Sequence, residues 1–378
     1  MTQHLRSDVA IVGGGIVGAS AALALRRMGF SVTLLERDFC GSRSSGVNYG
    51  GVRRQGRPLA QLPLAQRAHG IWARLPELIG VNGEYIRSGH LKIARSQADL
   101  ASLEAYRERS RGFGMDLQIL GAATLRERYP WLGPRAVGGS LCPQDGHANP
   151  RLVSPAIARA AARLGADIHE QCRVDDIAHD GKCFVLSSTA GLELCAPFLL
   201  NCAGAWSGAI AAQFGEPVPM VAMHPVMAVT EPLPMFMNLS LGVEGGGIYA
   251  RQAVRGNCVI GGSRGFALDA ERARPSREAI SLVLAQTVEL LPKLRHAYII
   301  RTWSGTEGYL PDHEPVIGPS ATRPGLIHGF GFAGSGFQLG PAVGEVLAEL
   351  VRDGASSTPI TDFSISRFSL VRSPAISI

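Results

Sequence analysis

The sequence predicts an α/β chain in which a mostly parallel sheet is interleaved with an α+β unit built on an antiparallel sheet. Three observations carry this reading. Residues 8–36 read as strand, glycine turn, helix and strand; residues 220–300 hold longer β-rich runs; and glycine-rich sequence returns at 325–336, ahead of a final helix. A helix joining two neighbouring strands is the crossover that parallel pairing requires, whereas closely spaced β runs separated by turn residues favour antiparallel pairing.

In chain order, DVAIV at 8–12 is an apolar run that stops at glycines, 19–28 is an Ala/Leu-rich helix, and 31–36 is a second apolar run. Residues 91–144 mix polar helices with short β runs. Asn149 and Pro150 then supply an N-cap and a first-turn proline for a helix that continues to Leu164, where the chain re-enters the parallel-sheet unit. The runs 172–179, 183–188 and 192–196 are strands joined by turns at Asp180-Gly181 and Ala190-Gly191, and 198–202 is a buried core strand. The β-rich stretch from 220 to 300 contains one helix, at about 277–291. After a run at 325–331 and a turn at 333–336, a helix at about 341–352 completes the pattern. The expected division is therefore 1–90, 145–215 and 310–370 for the first domain, and 91–144 and 216–309 for the second.

Composition narrows the class. Hydrophobic residues make up 46% of the 378 and charged residues 18%, with 46 Gly and 23 Pro, so an ample core is joined by many tight turns. The formal charge is +6, yet only three residues are lysine (Lys92, Lys182, Lys293) and the arginines are scattered among acids, which argues against a nucleic-acid stripe and for attraction of anionic substrates or an acidic partner. The seven cysteines form no CxxC pair and no Cys/His cluster with metal-ligand spacing, so no metal is expected and the thiols are expected reduced and buried. The first residues, MTQHLRSD, lead into a strand without the apolar stretch of a secretory signal, and no run approaches the ~20 apolar residues of a membrane span. The expectation is a cytoplasmic chain without a transmembrane segment.

Gly13, Gly15 and Gly18 form GxGxxG between the first strand and its helix, where the glycines permit a tight turn and close backbone approach to a pyrophosphate at the positive helix amino terminus. Glu36 ends the second strand, at the position where a carboxylate accepts hydrogen bonds from ribose hydroxyls. The first unit is thus Rossmann-like. A further segment, FLLNCAGAWS at 198–207, ends a core strand in Ala203-Gly204, which lets a second loop pass close to a dinucleotide.

With these segments in view, the chain resembles the D-amino acid oxidase, glycine oxidase and sarcosine oxidase family, most nearly its sarcosine oxidase β-subunit and opine or hydroxyproline dehydrogenase branch. The carriers are DVAIVGGGIVGASAALAL with LLER, then SSGVNYGGVRRQ, NCAGAWS, HPVMAVTEP, WSGTEGYLPDHEPVIGP, GFGFAGSGFQLGPAVGE and FSISRF, in the family's order over nearly the whole chain. The resemblance implies FAD, held without a covalent bond because neither 42–51 nor 308–311 offers the His or Cys that tethers it in some relatives. It implies a cofactor set of Gly13, Gly15, Gly18, Glu36, Arg37, Ser44, Ser45, Asn48, Gly50, Gly51, Val174, Ala203, Gly204, Trp206, Gly334, Gly336, Phe337 and Gln338. On the substrate side it implies Arg53 as a carboxylate clasp, with Tyr249 and Arg251 on a strand facing the flavin. Alternation would point those two to the same side. Glu307 stands where glycine oxidases carry a carboxylate-binding Arg, and Gln338 where sarcosine oxidases carry a Lys; His224 and Trp303 are further candidates for the cavity border.

The activity so implied is oxidation of the C–N bond of a small amino-acid-like amine (an opine, N-alkyl or D-amino acid) by hydride transfer to flavin N5, with hydrolysis of the imine to a keto acid. An acid at position 307 would favour a substrate with an extra cationic group. Since none of the three lysines falls in a motif, slow reaction of the reduced flavin with oxygen is expected. Two alternatives stand beside this reading: an FAD-dependent 2-hydroxy-acid dehydrogenase, and a non-catalytic FAD-binding subunit of a larger complex. Expected partners are the small substrate and, for this branch, other subunits of a hetero-oligomeric dehydrogenase.

Overall fold

The computed structural model describes residues 2–188 and 190–368. Val9–Val12, where all four side chains are buried, is the centre of a six-stranded sheet ordered Val316–Pro319, Leu326–Phe330, Phe198–Asn201, Val9–Val12, Val32–Leu35 and Asp167–His169. All neighbours are parallel except Val316–Pro319, which runs antiparallel to Leu326–Phe330. Continuous apolar strands of this kind need cover on both faces. Helices Ile16–Arg27, Pro150–Arg163 and Gly336–Asp353 pack together on one side, and residues 16–25 of the first are all buried. A Cβ on Gly344 would lie 2.4 Å from that of Ser20, so only glycine allows the first and last helices to approach so closely.

The other side carries a four-stranded sheet in which Gln3–Arg6 runs parallel to Leu192–Ala196, followed by Phe184–Ser188 and Asp176–His179. Two sequence expectations are corrected here. The strand expected at 172–179 is confined to Asp176–His179, leaving 172–175 irregular. Cys183 and Cys195 form a disulfide, with Cα atoms 6.1 Å apart, where reduced thiols were expected; the neighbouring strands bring the two side chains within bonding reach, a juxtaposition that their spacing in sequence does not announce.

The second sheet has eight strands, ordered Ile299–Ser304, Pro225–Pro232, Asn257–Arg264, Tyr249–Gln252, Ser240–Val243, His90–Ala94, Gly138–Cys142 and Gln118–Gly121. It is antiparallel as expected except at one seam, Ser240–Val243 beside His90–Ala94, which is parallel and joins strands from the two separated segments of chain. Helix Arg277–Leu290 covers one face through Val283 and Leu290. The final helix begins at Gly336, a turn earlier than expected, with Pro341 inside it. Among the described residues no helix is long and apolar enough to cross a membrane, and no group of His, Cys, Asp and Glu could hold a metal ion.

Candidate active site

A cavity of about 900 Å³ lies between the two large sheets, at the upper end of the ~300–1,000 Å³ usual for ligand sites. It opens where Val9–Val12, Val32–Leu35, Phe198–Asn201 and Leu326–Phe330 end, the carboxyl edge at which open parallel sheets bind ligands.

One lobe is a cradle for a dinucleotide. Gly13 has φ +107°, and a Cβ there would lie 2.3 Å from Cys202 O, so neither the turn nor the loop beyond it tolerates a side chain. Gly15, Glu36, Arg37, Ser44, Ser45, Asn48, Gly51, Val174, Ala203, Gly204 and Trp206 line this lobe and its mouth. Ile16 N donates to Ser45 Oγ (2.9 Å), and Asn48 donates to Ser44 O and Ser45 O while accepting from Gly50 N (2.7 Å), which fixes the 44–51 loop against the helix amino terminus. Glu36 accepts from Gly14 N (2.7 Å) and Asp38 N (2.8 Å); burial pushes its carboxyl up against those bonds. Arg37 lies 3.7 Å over the Trp206 ring, and its Nη2 is buried with no hydrogen-bond partner. An open glycine turn, a carboxylate at a strand end and an orphaned guanidinium nitrogen fit the pyrophosphate and ribose of FAD.

The lobe continues past Gly334, Gly336 and Phe337 into a second, more polar one lined by Tyr49, Arg53, Arg57, His90, Lys92, Tyr249, Arg264, Glu307 and Tyr309. Tyr249 packs edge-on to Tyr49 with ring centroids 4.8 Å apart, and burial holds its phenol well above the ordinary range. Glu307 faces the cavity; burial pushes its carboxyl up to about 7, opposed by a 3.3 Å hydrogen bond from Tyr309 OH. The Arg53 guanidinium donates to Gln55 O, and burial lowers its pKa. Arg57 is 6% exposed, and burial together with Arg53 pushes it down to about 9.

Four residues of the expected set stand behind the wall. Gly18 closes on Gly13 O, where a Cβ would lie at 2.0 Å, and Gly50 likewise abuts Ala148 O at 2.1 Å. Arg251 shares a contact with Tyr249, since both meet Tyr49, but its Nε donates to Tyr49 O (2.8 Å) and the Tyr49 ring lies 5.8 Å from its guanidinium carbon. It supports a lining residue rather than lining the cavity. Gln338 donates to Ala65 O (2.9 Å) on the helix face turned toward Leu62–Ala73, away from the expected flavin ring. Trp303 donates to Val47 O (2.7 Å) and His224 meets Thr306 Oγ1 (3.2 Å), so neither borders the cavity.

Sequence reasoning missed Tyr49, Arg57, His90, Lys92, Arg264 and Tyr309. Arg57 carried a signal, being four residues past Arg53 in RRQGR. Lys92 carried none, because only the parallel seam brings His90–Ala94 to the cavity. Its presence removes the premise that no lysine stands near the site.

Compared with known proteins, the chain is 28% identical to glycine oxidase of Geobacillus kaustophilus (96% of this chain, 97% of the relative) and 28% identical to an opine oxidase subunit of Rhizobium meliloti (96% and 97%). It is 27% identical to human mitochondrial sarcosine dehydrogenase over 96% of this chain, but it spans only 41% of that relative's length. Among solved structures, the Geobacillus kaustophilus glycine oxidase superposes with TM-score 0.89 at 25% identity (96% and 99% covered), and an L-proline dehydrogenase from P. horikoshii with TM-score 0.89 at 26% (97% and 99%). The family model described as DAO, FAD dependent oxidoreductase, matches residues 8–350, and with the glycine cradle and paired sheets described above it establishes that the chain belongs to this family of FAD-dependent oxidoreductases.

Proposed function

We propose that the chain oxidises the C–N bond of a small amine that carries a carboxylate, leaving an imine that water hydrolyses to a keto acid and an amine. The observation that carries this reading is one continuous cavity in which the dinucleotide cradle meets a lobe offering both the Arg53 cation and the Glu307 acid. Bound FAD supplies the hydride acceptor at its N5 atom. It would be held by Gly13, Gly15, Glu36, Arg37, Ser44, Ser45, Asn48, Val174 and the 203–206 loop, with Gly51, Gly334 and Gly336 allowing the backbone to come close.

Arg53 has the planar fork that binds a carboxylate through two parallel hydrogen bonds and so fixes the substrate's orientation. Glu307, with its raised pKa, accepts the proton of the substrate ammonium, because a hydride leaves carbon only when the nitrogen lone pair is free to form the imine. Tyr309 OH holds the Glu307 Oε2 atom during that transfer. The Tyr49 and Tyr249 rings line the lobe and exclude water. Glycine oxidase, sarcosine dehydrogenase and the opine oxidase chain, all named for amines, support the reading. The last is named as a subunit, which supports a hetero-oligomeric assembly for this chain. The same reading divides the chain into an FAD domain (1–90, 145–215 and 310–370) and a substrate domain (91–144 and 216–309).

An anaerobic screen of flavin bleaching tests the proposal, using opines, sarcosine, glycine, D-amino acids, hydroxyproline and 2-hydroxy acids. At least one amine is expected to bleach the flavin. Bleaching by D-lactate or 2-hydroxyglutarate with no response to any amine overturns it.

A further inference from the structure

Gln55 is fully buried behind the polar lobe and holds two of its walls. Its main-chain oxygen accepts from the Arg53 guanidinium, and its side-chain oxygen meets His90 Nδ1 (2.9 Å). The amide has one good orientation, because its Nε2 donates to Ser140 O (2.9 Å), a carbonyl that can only accept. Gln55 N is tied as well, to Asp145 Oδ2 (2.9 Å). With an acceptor fixed against it, His90 Nδ1 carries the hydrogen of the neutral imidazole, and Nε2 is left with the lone pair.

The surroundings keep that ring neutral. Burial first, and then the Arg53, Lys92 and Arg57 cations, hold the His90 pKa well below its ordinary value. They also leave the lone pair open to the cavity. A Cβ on Gly242 would lie 3.2 Å from Nε2, so glycine at that position leaves this edge of the ring uncovered; Gly242 and His90 both line the cavity, whereas Gln55 does not. Among the described residues Nε2 makes no hydrogen bond. Arg53, Arg57 and Lys92 offer only donors, so a carboxylate satisfies them but has no hydrogen for His90. The ligand that matches this wall carries a donor next to its carboxylate.

Resting on the amine reading above, we propose that His90 determines specificity in the polar lobe, its Nε2 accepting a hydrogen bond from an N–H adjacent to the carboxylate that Arg53 holds. In an amino acid that N–H belongs to the reacting nitrogen. Once Glu307 has taken the ammonium proton, a primary or secondary amine still has an N–H for His90, and a tertiary amine has none. The chain therefore selects primary and secondary amines over tertiary ones.

Binding is read on the purified holoenzyme, without turnover, from the change in flavin absorbance. Pyrrole-2-carboxylate and furan-2-carboxylate are flat acids of nearly one shape, but the ring atom beside the carboxylate is an N–H donor in the first and an oxygen acceptor in the second. The pyrrole acid is expected to bind at least about tenfold tighter. His90→Phe is expected to bring the two acids to within about twofold, while His90→Gln, which keeps an acceptor oxygen, retains a preference of about threefold or more. Equal affinity for the two acids in the wild type overturns the proposal. So does a preference unchanged in His90→Phe while both acids weaken together, which is the mark of a structural role. In turnover, sarcosine is expected to exceed N,N-dimethylglycine in kcat/KM by at least about tenfold, a margin that shrinks in His90→Phe. Bleaching by both at equal kcat/KM overturns the His90 inference and leaves the amine reading standing. A pyrrole preference that His90→Phe removes, with bleaching by no amine, does the opposite.

Discussion

At the scale of single residues, Glu307 makes the sharpest prediction, because burial holds its carboxyl near 7. The folded protein keeps the proton up to about that pH, whereas the unfolded chain releases it near the ordinary value of 4.5, so this group's contribution to stability falls as pH rises through that window. Glu307→Gln is expected to remove that slope in thermal melts of the protein at pH 5 and 8. The proposed role of Glu307 as proton acceptor requires its carboxylate form, so on that proposal kcat/KM is expected to rise with pH through about 7 in the wild type; the variant is expected to be about 100-fold slower and flat across that range. An unchanged pH profile takes Glu307 out of the proton transfer. A second residue-scale expectation concerns the tether. Cys202 lines the cavity, but burial pushes its thiol up to about 12, so the nucleophilic thiolate is absent at neutral pH. Acid precipitation should leave the flavin in solution; flavin retained in the pellet contradicts this. Gly13 and Glu36 were legible in sequence because a backbone turn and a strand end are local requirements. Arg57 offered only its place in RRQGR, its burial and unpartnered Nε showing only in the fold, and Lys92 offered nothing, since it reaches the cavity through the parallel pairing of His90–Ala94 with Ser240–Val243.

Among the elements, the hairpin Phe266–Ala267 and Ala273–Arg274 reaches from the eight-stranded sheet across the mouth of the dinucleotide lobe. Glu271 at its tip pairs with Arg37 (3.3 Å) and Arg43 (3.6 Å), and Ala270 O accepts from Trp206 Nε1 (3.2 Å). Part-exposed pairs of this kind are worth ~0–1 kcal/mol each, so Glu271→Gln is expected to speed FAD release about two- to fivefold. Raising the salt should shrink that difference by screening the wild-type pairs; equal release rates at low salt remove the hairpin as a clasp. The disulfide between the strands Phe184–Ser188 and Leu192–Ala196 is tested by a thiol titration of the denatured, unreduced protein, which should count Cys40, Cys142, Cys172, Cys202 and Cys258 and no others. Seven reactive thiols would refute it. Neither feature was legible from the sequence. The hairpin's role depends on what it crosses, and the cysteine pair depends on strand register rather than on spacing. By contrast, the helix Pro150–Arg163 was read to within a residue, because Asn149 caps it through Arg151 N (3.1 Å) and Pro150 fills the first turn.

For the whole molecule, the consequence of this architecture is that the cavity proposed to hold FAD is also where the two large sheets meet. The six- and eight-stranded sheets each contribute walls to the cavity of about 900 Å³, so FAD bound there would touch both. The alternation of the two sheets along the chain was legible, since glycine-rich and β-rich stretches succeed one another in order. Hidden was the parallel seam of Ser240–Val243 with His90–Ala94, because a pairing between segments about 150 residues apart in sequence leaves no local pattern. Ligand removal should therefore act where the two large sheets meet rather than on either sheet. A ligand present at about 100 times its Kd stabilises the folded state by ~2.7 kcal/mol, and FAD that survives purification binds at least that tightly. Apo protein is expected to melt several degrees lower, in proportion, and FAD added back should restore the melting temperature. Trypsin gives the location. In the apo protein the first cuts are expected at Arg37, Arg43 and Arg272, in the Glu271 clasp and its hairpin, while cores such as Ile16–Arg27 and Gly336–Asp353 hold. First cuts inside either large sheet, or an apo melting temperature equal to that of the holoenzyme, would show that the two sheets are joined without help from FAD.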